Sequence, residues 1–135
     1  GYIEKLFTNS LDPNDHPYFS EIYDLKVSSH LLIERDGSLV QFVPFNKKAW
    51  HAGVSSFKGR ENCNEFSIGI ELEGTDENTY TEDQYRALIA ITKELMLVFQ
   101  DIKKENIVGH SDIAPGRKTD PGKAFDWHYY LSNLV

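Results

Sequence analysis

The sequence holds a single cysteine, Cys63, so no disulfide can close within the chain. That leans towards a reducing compartment. No apolar run reaches the length of about 18 residues that a transmembrane helix needs, so no membrane span is expected. Basic residues are the minority: 14 Lys and Arg stand against 21 Asp and Glu, giving a formal charge of −7. Binders of nucleic acid or of membrane surfaces carry a dense basic patch, and this balance argues against both partners. Internal repeats, low-complexity stretches, Gly/Ser linkers and the common phosphate-cradling glycine patterns are also missing.

What remains is an ordinary globular composition. The 135 residues are 40% hydrophobic and 13% aromatic, enough for one domain over residues 1–135 with a sizeable core. The first residue is Gly rather than Met, and Gly1–Leu6 already reads as the inside of an amphipathic helix, so the natural chain is expected to begin further upstream. Helices are predicted over Tyr2–Phe7 and Asp15–Tyr23, with Pro17 in the first turn of the second. His30–Glu34 and Leu39–Val43 flank Asp36-Gly37, a hairpin signal.

Phe66–Leu72 reads as a strand with Phe66, Ile68, Ile70 and Leu72 on one face and Ser67, Gly69 and Glu71 on the other. Glu82–Phe99 is the strongest helix; Thr81 and Gln84 form a capping box, and Tyr85, Leu88, Thr92, Leu95, Met96 and Phe99 make a core stripe. Asn106–Gly109 is predicted as a short strand and Ala124–Leu134 as a closing helix. Strands interleaved with helices imply an α/β fold, a central mixed sheet packed between helices.

Chemistry concentrates in Gly109–Gly122, GHSDIAPGRKTDPG. His110 and Asp120 lie ten residues apart on a loop stiffened by Pro115 and Pro121, a length that can return both side chains to one point. Imidazole and carboxylate are a reasonable ligand pair for Zn²⁺. A His and an Asp in one loop are more often a hydrogen-bonded surface pair, and the spacing does not separate the two. Glu71 sits on the polar face of its strand beside Gly69, where a ligand could approach closely. An exposed-face Glu is the plain alternative, and Glu73 is expected to be one. In Trp50-His51-Ala52-Gly53 the Trp could line a sugar or peptide pocket, or simply pack beside a hydrogen-bonded His. His16 and His128 read as structural, and His30 as a buried, satisfied histidine.

Taken together, VSSHLLIERDGSLVQFVPFNKKAWHAG, NEFSIGIELEGTD and GHSDIAPGRKTDPG resemble the type 2 N-acetylmuramoyl-L-alanine amidases, in their cell-wall recycling branch. That family shares its fold with peptidoglycan recognition proteins and phage T7 lysozyme. The resemblance implies a zinc enzyme, located in the cytoplasm, that hydrolyses the bond between the lactyl group of 1,6-anhydro-N-acetylmuramic acid and L-alanine. It makes His110 and Asp120 zinc ligands, Glu71 the carboxylate that activates water, and Lys118 the cation facing the developing oxyanion. Lys26, Trp50, Ala114 and Arg117 fall where the family's pocket holds the muramyl sugar and peptide carboxylates. A small muropeptide is the implied partner, and a monomer is expected. A third ligand, a histidine on the family's first strand, would lie upstream of Gly1, so that strand is expected to be missing here. Two other readings are a muropeptide-binding module without activity and an amidase acting on polymeric wall outside the cytoplasm.

Overall fold

The computed structural model describes residues 29–74 and 79–134. The two expected N-terminal helices, His16 and Lys26 lie outside the described residues. The hairpin forms as the sequence indicates: β1 (Leu31–Ile33) pairs antiparallel with β2 (Leu39–Gln41), Leu32 opposite Val40. Its turn works because Gly37 takes a φ of 86°, while the Asp36 carboxylate accepts the Ser38 N–H at 2.9 Å. A second hairpin joins β3 (Ser56–Phe57) to β4 (Arg60–Glu61). The chain then makes a 3₁₀ turn at Cys63–Glu65 and enters β5 (Ile70–Leu72), which runs parallel to β1 with Glu71 level with Leu32. The mixed sheet has the order β2-β1-β5 among the described residues. Its middle strand is covered on both faces, since Leu31, Leu32 and Ile33 are all buried.

The expected strand at Phe66–Leu72 is shorter than its pattern: the Gly69 carbonyl still accepts the His30 N–H at 2.9 Å, but other polar groups of residues 67–69 are engaged off the ladder. The Ser67 hydroxyl donates to the Cys63 carbonyl at 2.6 Å, and the Gly69 N–H donates to His30 Nδ1 at 3.1 Å. Alternation alone therefore overstates the ladder.

Helix α1 (Glu82–Val98) has the capping box read from the sequence, with Thr81 and Gln84 exchanging hydrogen bonds. Gln84 does more than cap. Fully buried, its Nε2 also donates to the carbonyls of Ile33 and Glu73, tying the helix start to the ends of β1 and β5. Glu73 is itself half-buried and accepts the Arg35 N–H at 2.8 Å, so it is not the exposed glutamate that was expected. Leu88, Thr92 and Leu95 then face inward, and Leu88 joins Leu31, Ile33, Phe125, Tyr130 and Leu134 in the core. Thr92 donates to Leu88 O and receives the Tyr130 hydroxyl at 2.7 Å; burial pushes the Tyr130 pKa up.

Two expectations in the last third need correction. Asn106–Gly109 is not a strand: Lys104–Asn106 is a 3₁₀ turn, and Ile107 and Gly109 are extended but have no ladder partner among the described residues. A β conformation without a neighbour is only half of a strand. His110 therefore opens a short helix, α2 (His110–Ile113), rather than ending a strand. The closing helix α3 is Trp127–Ser132, shorter than Ala124–Leu134. Asp126 caps it by accepting the Tyr129 N–H at 2.9 Å, and the turn before it puts Phe125 into the core.

Candidate active site

The loop from Gly109 to Pro121 is closed on itself by local bonds. Asp112 accepts the Gly109 N–H at 2.8 Å, and the Ser111 N–H reaches the Asp120 carbonyl at 3.0 Å. Buried Ala114 is the hub: its N–H donates to His110 O, and its carbonyl accepts from the N–H groups of Arg117 and Lys118. At Gly109 a Cβ would meet Pro121 Cδ at 2.8 Å, so the two ends of the loop can touch only through a glycine. Tyr80 adds an outside tie, its hydroxyl donating to Pro121 O at 2.7 Å.

This closure brings the predicted pair together, with His110 Nδ1 3.2 Å from Asp120 Oδ2. The other ring nitrogen, Nε2, is 2.8 Å from the Ala52 carbonyl, which can only accept, so Nε2 carries a hydrogen. The Asp120 hydrogen bond raises the His110 pKa against the effect of burial. Burial works to raise the Asp120 pKa as well, but the His110 bond and charge hold it below the usual carboxylate value. Lys118 is close enough for its charge to act on both. Solvent can reach the pair, whose side chains are 18% and 34% exposed.

Both ring nitrogens face acceptors, so the Nδ1–Asp120 bond needs a second hydrogen; its loss, with Nε2–H kept on Ala52 O, leaves Nδ1 a lone pair that a metal can take. Two tetrahedral ligands at about 2.0 Å from zinc lie about 3.3 Å apart, close to the observed spacing. The pair fits a zinc ion as two of its donors. Among the described residues no set of three or more His, Cys, Asp or Glu groups converges to hold a metal.

Glu71, His110 and Asp120 are among the many residues around one broad, open cavity of about 1190 Å³, which also reaches core side chains such as Leu88, Thr92 and Tyr130. Gly69 does not leave room for a ligand, as its pattern suggested. The His51 ring lies against it, in the space a Cβ would need. His51 hydrogen bonds through Nε2 to Ser67 Oγ at 3.1 Å; burial first, then the neighbouring His30 and His110, lower its pKa to about 4. Trp50, Ala114, Arg117 and Lys118 do not line that cavity. Trp50 is 57% exposed with the Lys48 ammonium 4.0 Å above its ring, an arrangement open to a sugar or peptide. Arg117 is engaged with main chain, donating to Ala52 O at 2.6 Å and Val54 O at 2.7 Å. Sequence reasoning missed the parts played by Ala52 and His51, and Trp50-His51-Ala52-Gly53 was the signal available for them.

A family model described as N-acetylmuramoyl-L-alanine amidase matches residues 2–123. The chain is 61% identical over 126 residues to the 1,6-anhydro-N-acetylmuramyl-L-alanine amidase AmpD of Escherichia coli K12, covering 93% of this chain and 68% of that protein. A crystal structure of a selenomethionine AmpD derivative superposes with a TM-score of 0.96 at 56% identity, over 99% of this chain and 74% of the other. The amidase AmiD from E. coli, solved with the substrate anhydro-N-acetylmuramic acid-L-Ala-D-γ-Glu-L-Lys, gives a TM-score of 0.77 at 34% identity, over 92% and 54%. A match of this extent in both sequence and fold places the chain in the N-acetylmuramoyl-L-alanine amidase family.

Proposed function

We propose that the protein is a zinc-dependent amidase that hydrolyses the bond between the lactyl carbonyl of 1,6-anhydro-N-acetylmuramic acid and the amino group of L-alanine, in peptidoglycan recycling. The observation that carries this reading is the 3.2 Å approach of His110 Nδ1 to Asp120, with Nε2–H held by Ala52. The substrate class rests on the relatives named AmpD and on the anhydromuramyl peptide bound in AmiD.

His110 and Asp120 would hold the metal, which supplies Lewis-acid polarisation and a water whose pKa falls to about 7. Glu71 takes the proton from the attacking water and returns it to the departing alanine nitrogen. Lys118 offsets the negative charge that develops on the carbonyl oxygen. Water adds across the amide, giving a lactyl carboxylate and a free peptide amine. Trp50, Ala114, Arg117 and Lys26 are proposed to contact the sugar and peptide. A cytoplasmic monomer is the corresponding setting.

The test is mass spectrometry of anhydromuramyl tripeptide incubated with the full-length protein, before and after chelation and zinc addition. Release of free tripeptide that stops on chelation and returns with Zn²⁺ is expected. Tight binding of the substrate without any release would make the protein a muropeptide-binding module instead.

A further inference from the structure

The Ala52 carbonyl accepts two hydrogen bonds, one from each of two charged-type side chains. His110 Nε2 lies 2.8 Å from it and Arg117 Nη2 2.6 Å from it. A carbonyl oxygen has two lone pairs, so both bonds can be made at once. The same Arg117 nitrogen also donates to Val54 O at 2.7 Å, which fastens the segment on both sides of Gly53. Gly53 makes this possible with a φ of 66°, and a Cβ there would lie 3.0 Å from the guanidinium. From the opposite side, the Asn64 side-chain oxygen accepts the N–H groups of His51 and Ala52 at 2.9 and 2.8 Å. Ala52 is almost fully buried within this frame.

The geometry points to Arg117 as a positioning residue for His110: through the Ala52 carbonyl it fixes the tautomer and orientation that leave Nδ1 free to bind a metal. The role deepens the amidase reading and rests on it. A guanidinium suits the task because the two hydrogens of its Nη2 are held in a fixed plane, one for each carbonyl, and it is charged at every working pH. An ammonium has three donors but they rotate freely on a flexible stem, so it would hold the two carbonyls less rigidly. Without the clasp, the segment keeps its ties to Asn64 and, through Ser55, to Cys63, but the Ala52 carbonyl that selects the His110 tautomer loses the charged donor that fixes its direction. Partners of this kind typically change metal affinity about 10–100-fold.

The deciding experiment measures zinc affinity of the full-length protein by competition with a chromophoric chelator, for wild type and for Arg117→Ala, Arg117→Lys and His110→Ala. The ¹⁵N pattern of the His110 ring, taken above its raised pKa where the ring is neutral, and the melting temperature of each metal-free protein are recorded alongside. Arg117→Ala is expected to weaken zinc binding about 10-fold or more and to mix the His110 tautomers, with Arg117→Lys in between. Arg117 is on the surface, so these variants should melt near wild type. Wild-type zinc affinity and a single Nε2–H tautomer in Arg117→Ala, with only KM raised, would overturn the inference and return Arg117 to substrate binding alone. Zinc affinity unchanged in His110→Ala would instead overturn the amidase site itself.

Discussion

Two histidine environments within a few residues of the same cavity differ in what their nitrogens are given to do. His30 is wholly buried and its ring is complete: Nδ1 accepts the Gly69 N–H, and Nε2 lies 2.6 Å from Lys47 O. His51 stacks obliquely beside it, its ring centroid 5.8 Å away, and covers Gly69. His110 has one nitrogen fixed on Ala52 O and the other set against a carboxylate that solvent can reach. Burial with only neutral partners makes a histidine a piece of wall. An acid opposite one nitrogen and a carbonyl opposite the other is the arrangement that the proposed function uses as a ligand.

Removing the acid should break that contrast most completely. Asp120→Ala is expected to abolish zinc binding and turnover, since two of the few donors at a catalytic zinc cannot become one. Retention of full zinc occupancy, measured on the purified protein, would place the metal elsewhere. Glu71→Gln keeps the shape of the side chain and removes its basicity. It is expected to lower kcat by about 10²–10⁴ while KM and zinc affinity stay near wild type. Steady-state kinetics with a metal assay separates that outcome from a general loss of the site.

Much of this site could be read from the sequence. The ten-position separation of His110 and Asp120, on a loop stiffened by prolines, allowed the convergence without deciding what the pair does. The hairpin at Asp36-Gly37 and the capping box at Thr81 were legible because each is decided by residues adjacent in the chain. What could not be read depends on partners far along the chain. The Ala52 carbonyl meets His110 across 58 positions, and main-chain acceptors carry no signature in residue type. Asn106–Gly109 failed as a strand because propensity describes one segment while a ladder needs two. Gly69 was read as a place for a ligand, and the space is taken by His51.

The two kinds of histidine should also separate by pH. His51 has its pKa lowered to about 4 in the folded protein, against 6.5 when exposed. Between those values the unfolded chain binds a proton that the folded one refuses, so stability is full above about pH 6.5 and falls as pH drops towards 4, by about 3 kcal/mol. His110 acts oppositely: its raised pKa adds stability that is present below 6.5 and fades as pH rises through the folded value. Asp120, lowered, adds stability above 3.8 that is lost as pH falls through its folded value. Denaturant titrations of the metal-free protein across this range should show a shallower acid slope in His51→Asn than in wild type. Equal slopes would mean that His51 takes up its proton without resistance.

The smallest effect is the most specific. Gly69 is the entry to the strand that presents Glu71, and its missing Cβ is the place where the His51 ring sits. Gly69→Ala should therefore cost about 1–3 kcal/mol by overpacking. The strain comes from one neighbour, so the same substitution made in a His51→Ala background should cost far less, the new methyl partly filling the space the ring has left. That non-additivity, read from a double-mutant cycle of denaturation free energies, measures the contact itself. Equal costs in the two backgrounds would show that the strand start relaxes away from the ring, and that Glu71 keeps its place by the β1 ladder alone.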